Sequence, residues 1–243
     1  MISVHYAVFY YMKKIVSISL VAIGVVALVM GGVFFFDGEK ENPAPSIALV
    51  ATSTPRSVDT TIIAFGDSLT AGYGLPLSES YPAQLESALL EKRYKVKVIN
   101  AGVSGETTKG NSERALFIAS QNADIVILGI GGNDALRALS VSETEKNIRE
   151  TISTLLKASS SPEVILLQMQ APLNVGSEYK NSFDALYLKL AKEFSLPLVP
   201  LITESLFRKQ YLLPDGIHLT KEGYGIFAKE ILLPQLEMYL KGR

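Results

Sequence analysis

The stretch Ile62-Ile63-Ala64-Phe65-Gly66-Asp67-Ser68-Leu69 is an apolar run that stops at a glycine, a carboxylate and a hydroxyl. Four apolar residues without polar alternation read as a strand buried on both faces, which a parallel sheet covered by helices requires. The Gly66-Asp67-Ser68 ending reads as a strand-to-helix turn. Such a turn aims the Ser68 hydroxyl at open space and its backbone N–H at the same point. The pattern recurs downstream. Residues 95–100, 125–130, 164–169 and 198–201 read as strands, and helix-like stretches lie at 81–93, 107–121, 142–158, 178–195 and 220–240. Strand–helix alternation over about 180 residues predicts an α/β fold, a parallel sheet with helices on both faces. Ligands of such sheets bind beyond the C-terminal ends of the strands. Asp67-Ser68, Asn100-Ala101-Gly102 and Gly131-Gly132-Asn133-Asp134 fall at those ends, and Asp215-Gly216-Ile217-His218 precedes the last helix.

The chain has two histidines, and His5 lies ahead of a long apolar segment, so His218 is the only one available to the strand–helix region. Asp215, three residues before it across a glycine, is placed to hold one imidazole nitrogen and leave the other free to take a proton from Ser68. Asp134 is the other candidate acid, and the local spacing favours Asp215. Gly102 offers a backbone N–H with no side chain to block a substrate, and Asn133 a side-chain amide; with the Ser68 N–H they make three donors for an oxyanion. Each also has a plain structural reading. Ser68 and Asp67 suit a helix N-cap, Gly102 a turn with positive φ, and Gly131-Gly132-Asn133-Asp134 a surface turn. Gly72-Tyr73-Gly74 lacks the Lys-Ser/Thr of a phosphate loop and the spacing of a dinucleotide fingerprint, and reads as a turn.

A net charge of −1 and a pI near 6.2 exclude the basic surplus of a nucleic-acid binder. The absence of cysteine excludes disulfides, thiolate metal sites, a cysteine nucleophile and a lipidated N-terminal cysteine. Ile15 to Phe36 is uncharged and apolar apart from two serines and a few glycines. As a helix rising about 1.5 Å per residue it reaches about 33 Å, enough for a hydrocarbon core of about 30 Å. Lys13 and Lys14 precede it and Asp37, Glu39 and Glu41 follow, so the positive-inside rule keeps the N-terminus cytoplasmic. Residues 1–36 therefore read as a membrane anchor. A cleaved signal peptide is the alternative, disfavoured by the length of the apolar run, and a buried core helix is a third. Met12-Lys13-Lys14 reads as a second possible start. Residues 37–60, rich in Pro, Ser, Thr and Ala, read as a tether, and 61–243 as the functional domain.

Taken together and in order, the four motifs resemble the SGNH hydrolases, the GDSL-type esterase and lipase superfamily, over roughly residues 61–240. Gly66-Asp67-Ser68-Leu69 resembles its first block, Asn100-Ala101-Gly102 its glycine block, Gly131-Gly132-Asn133-Asp134 its asparagine block and Asp215-Gly216-Ile217-His218 its last. Asp67-Ser-Leu-Thr-Ala-Gly-Tyr-Gly74 and Met169-Gln-Ala-Pro-Leu-Asn-Val-Gly-Ser-Glu-Tyr179 are similar to the bacterial arylesterase, acyl-CoA thioesterase I and lysophospholipase group. The resemblance implies a flavodoxin-like three-layer α/β/α sandwich with a five-stranded parallel sheet. It implies Ser68, His218 and Asp215 as triad, and Ser68, Gly102 and Asn133 as oxyanion hole. It implies no cofactor or metal, and a monomeric domain acting on a small-molecule or lipid ester or thioester. An acyl groove is expected near Leu69 and the 171–177 loop. A surface-polysaccharide O-deacetylase is the alternative enzyme, and a silent membrane-tethered binding module the alternative outside catalysis. An anchor and tether in place of a short cleaved signal depart from that group.

Overall fold

The computed structural model describes residues 59–241. The anchor expected over residues 1–36, and all of the tether before Asp59, lie outside the described residues. Among the described residues no helix is long and apolar enough to cross a membrane.

Strand β1 (Thr60–Gly66) takes in Thr60, one residue earlier than the expected domain start. It pairs in parallel with β2 (Val96–Gly102) on one side and β3 (Ile125–Gly129) on the other. Strands β4 (Glu163–Gln168) and β5 (Leu198–Pro200) complete a five-stranded parallel sheet of order β2-β1-β3-β4-β5. Every residue of Ile125–Gly129 is buried, as is all of β1 except Thr61, which explains their unbroken apolar runs. The outer β2 is only half covered, and its sequence mixes Lys97 and Asn100 with apolar residues. From β1 the chain steps one way to β2 and then returns past β1 to β3. The C-terminal ends of β1 and β3 thereby flank the switch point of the sheet, where α/β folds bind ligands.

Helix α1 (Ser68–Ala71) is one short turn directly after β1. Helix α2 (Tyr81–Glu91) packs on one face of the sheet with the C-terminal helical segment, and α3 (Thr108–Ala119), α5 (Val141–Leu156) and α6 (Ser177–Phe194) cover the other. Helix α4 (Gly132–Leu136) is a second short turn, after β3. The expected helix over 220–240 comprises α7 (Lys221–Ile226), a π-helical segment (Phe227–Leu232) and α8 (Leu233–Leu240). Pro234 near the start of α8 has no N–H for a helical bond, and the preceding turn widens to π geometry. Its buried Phe227 meets Tyr81 edge-on at 5.1 Å, closing that layer on α2. On the other face Phe183 and Tyr187 pack at 5.6 Å, and the Tyr187 hydroxyl donates to the carbonyl of Ile130 at 2.9 Å. Gly131 is thereby restricted twice. Its φ is +106°, and a Cβ there would lie 2.3 Å from that hydroxyl.

Candidate active site

Ser68 is the first residue of α1, so its N–H, like other leading N–H groups of a helix, has no intrahelical acceptor. Its Oγ lies 2.8 Å from His218 Nε2, and His218 Nδ1 lies 2.7 Å from Asp215 Oδ2. The other carboxylate oxygen of Asp215 accepts the backbone N–H groups of Ile217 at 2.9 Å and His218 at 3.0 Å. Partial burial works against the Asp215 charge, but the His218 ring and these two N–H groups outweigh it and lower its pKa. The carboxylate thus stays ionised and fixes the imidazole so that Nε2 faces the serine. Asp134, the other candidate acid, does different work. It accepts from the Thr108 N–H at 2.8 Å and from the Thr108 hydroxyl at 2.6 Å, fastening α3 to α4.

Two side chains near the triad do more than the sequence disclosed. The Tyr73 ring lies 4.7 Å from the His218 ring, tilted by 37°, and covers the imidazole from the Gly72–Gly74 turn. Asp67, almost wholly buried, accepts the Leu69 N–H at 3.0 Å as an N-cap, and the Gly132 N–H also faces its carboxylate. One carboxylate therefore joins the start of the Ser68 helix to the start of the Asn133 helix. Burial pushes its pKa up to about 6, against the opposing pull of the Leu69 N–H, His218 and the Gly132 N–H, and with a smaller push from Asp134. The Asx-cap geometry of Asp-Ser was legible in sequence. The second helix that it serves was not.

The oxyanion donors need one correction. Asn133 is buried on α4, and its Nδ2 donates to the carbonyl of Glu106 at 3.0 Å, leaving its second amide hydrogen. Gly102, expected to offer an open N–H, is the last residue of β2 and donates that N–H to Asn100 Oδ1 at 3.0 Å. Neither a positive φ nor space for substrate explains the glycine. A Cβ there would lie 2.2 Å from the Ala71 nitrogen and 2.8 Å from the Asp67 carbonyl, so Gly102 lets α1 sit against β2. Three residues on, Gly105 has the properties sought. It is exposed, its φ of +82° suits glycine, and its N–H has no acceptor among the described residues. It also directly precedes Glu106, whose carbonyl holds Asn133.

Leu69, expected at the groove, is buried and packs into the core. The 171–177 loop forms a 3₁₀ turn (Leu173–Val175) with Leu173 largely exposed to solvent, and Lys180 pins its start by donating to the Ala171 carbonyl at 3.1 Å. Among the described residues no cluster of His, Cys, Asp and Glu has the arrangement to hold a metal ion.

A serine, a histidine and an aspartate in hydrogen-bond sequence at the switch point of a parallel sheet define a serine hydrolase. Comparison with known proteins makes the class specific. Residues 64–226 match the GDSL-like lipase/acylhydrolase family. The thioesterase 1/protease 1/lysophospholipase L1 of Escherichia coli strain K12 is 33% identical over 186 residues, 76% of this chain and 87% of that protein. An arylesterase of Vibrio mimicus is 35% identical over 159 residues, 65% of this chain and 78% of its own. The solved structure of AlinE4, an SGNH-hydrolase family esterase, is 36% identical with a TM-score of 0.60, covering 74% of this chain and 96% of its own. The chain belongs to the GDSL-like lipase/acylhydrolase family, and it is a carboxylic ester hydrolase.

Proposed function

We propose that Ser68 is the nucleophile of an esterase and thioesterase whose substrates are aryl esters, acyl thioesters and single-chain lipid esters. The observation that carries this reading is the continuous contact from Asp215 through His218 to Ser68, at 2.7 and 2.8 Å. His218 Nε2 takes the proton as Ser68 Oγ attacks the carbonyl carbon, and Asp215 stabilises the resulting imidazolium. The tetrahedral oxyanion is held by the N–H groups of Ser68 and Gly105 and by the free amide hydrogen of Asn133. Gly102, whose N–H is spent on Asn100, supports the helix instead. Collapse expels the alcohol or thiol, protonated by His218. Water then attacks the acyl-enzyme by the same route, releasing the acid and restoring Ser68.

The breadth of substrate draws its support from the names of the relatives, a thioesterase and lysophospholipase in one case and an arylesterase in the other. The apolar run from Ile15 to Phe36, with Lys13 and Lys14 before it and Asp37, Glu39 and Glu41 after, supports a membrane anchor that places the hydrolase outside the cytoplasm. Two measurements test these points. Turnover of p-nitrophenyl acetate and octanoate should both be seen, with octanoate at least equal; activity confined to acetyl esters would replace the lipid reading with an O-deacetylase. Protease added to spheroplasts should release the domain and leave a small membrane-bound stub, and a fully protected domain would invert the orientation.

A further inference from the structure

Behind the site lies an ion pair that the reaction scheme does not use. Glu106 stands just before α3, and its side chain folds back along the first turn of that helix. Gly110 makes the space, since a Cβ there would lie 2.9 Å from Glu106 Cγ. Arg114 grips the carboxylate with both arms, Nε on Oε1 at 2.9 Å and Nη2 on Oε2 at 2.6 Å. Asn111 Nδ2 donates to the same Oε2. Arg114 Nη2 also donates to the carbonyl of Ala101 at 3.1 Å, with that of Gly66 at 3.5 Å, and its guanidinium lies 4.7 Å from the centre of the buried Phe65 ring. Gly66 is the last residue of β1, immediately before Asp67-Ser68, and Ala101 is the last but one of β2, next to Gly102. Both sides of the pair are mostly covered, Glu106 to 11% exposure and Arg114 to 27%.

We propose that Arg114 is a positioning residue for the oxyanion hole: through Glu106 it locks the Gly105–Glu106 turn against the ends of β1 and β2. The proposal rests on the catalytic reading above. The turn carries two of the three donors, the Gly105 N–H directly and the Asn133 amide through the Glu106 carbonyl. The third, the Ser68 N–H, follows β1, whose end the same guanidinium holds. Only a planar fork can engage a carboxylate with two parallel bonds and still reach a strand carbonyl, so lysine is not an equivalent. Loss of the fork lets the donors drift, and a displacement near 1 Å is enough to cost about 10²-fold in rate.

The test uses the full-length chain, with active enzyme counted by fluorophosphonate titration so that misfolded protein does not enter kcat. R114K and E106Q should each lower kcat about 10- to 100-fold with KM changed less than about twofold, because the donors act mainly on charge formed in the transition state. In an Asn133→Ala background R114K should cost much less than it does alone, since both changes disable one device. R114M carries the same expectation where it folds, and R114K keeps the charge where it does not. Unchanged kcat per titrated site, or losses that simply multiply with Asn133→Ala, would overturn the proposal. Full activity of Ser68→Ala would instead overturn the catalytic reading beneath it.

Discussion

Asp67 is a nearly buried carboxyl whose ionisation its surroundings oppose. Its carboxyl, ordinarily near 3.8, is pushed up to about 6 by burial. A raised carboxyl contributes stability that is complete below the unfolded value and lost as pH rises through the folded one. Two units correspond to about 3 kcal/mol. In denaturant titrations, wild type should therefore gain up to about 3 kcal/mol on Asp67→Asn as pH falls from 7 toward 4. The opposite dependence expected from the lowered Asp215 cancels in that comparison, and a difference independent of pH would refute the assignment. The carboxylate caps two helices, so its protonation is also expected to loosen the link between Ser68 and Asn133. At this scale the sequence was informative wherever chemistry needs a rare side chain. Residue type and spacing singled out Ser68, His218 and Asp215, which lie in hydrogen-bond contact, and Asn133, which donates to the Glu106 carbonyl. Gly105 was not legible, because a backbone N–H leaves no mark in residue type and Gly102 stood at the more obvious strand end. Arg114 was hidden for a similar reason: its partner Glu106 lies two helical turns away and outside the helix.

Among the elements, α1 does most to shape the site, although it is only one turn long. It is capped by Asp67 at its start, and Asn100 Nδ2 donates to the Thr70 carbonyl at 2.9 Å near its end. Gly102 allows it to lie against β2. Gly102→Ala should therefore destabilise the domain by roughly 1–3 kcal/mol or more, the cost of overpacking a tight contact, and should also lower kcat by shifting Ser68. An alanine variant with wild-type melting temperature and activity would show that the contact yields freely. The five strands, the four long helices and the C-terminal helical segment were legible to within a residue or two at most ends, because short apolar runs alternate with longer helix-like stretches. The short helices α1 and α4 were read as turns, since four or five residues show no helical period. Nor did the sequence disclose the π segment over Phe227–Leu232, although Pro234 supplied a local cause.

For the molecule as a whole, the strands, the helices and every site residue fall within the unit Ser53–Arg243. Residues 57–243 expressed alone should thus be soluble and hydrolyse p-nitrophenyl esters at a rate close to that of the full chain in detergent. Aggregation of that fragment, with activity confined to the full chain, would mean that the N-terminal residues contribute to folding. The central claim, however, is that one serine does the chemistry. Its most direct test is the steady-state hydrolysis of p-nitrophenyl acetate by wild type and Ser68→Ala, with matched circular dichroism spectra. The Ser68→Ala enzyme should lose at least about 10⁴-fold in kcat, as when a triad nucleophile is removed; a variant within tenfold of wild type would contradict a catalytic Ser68.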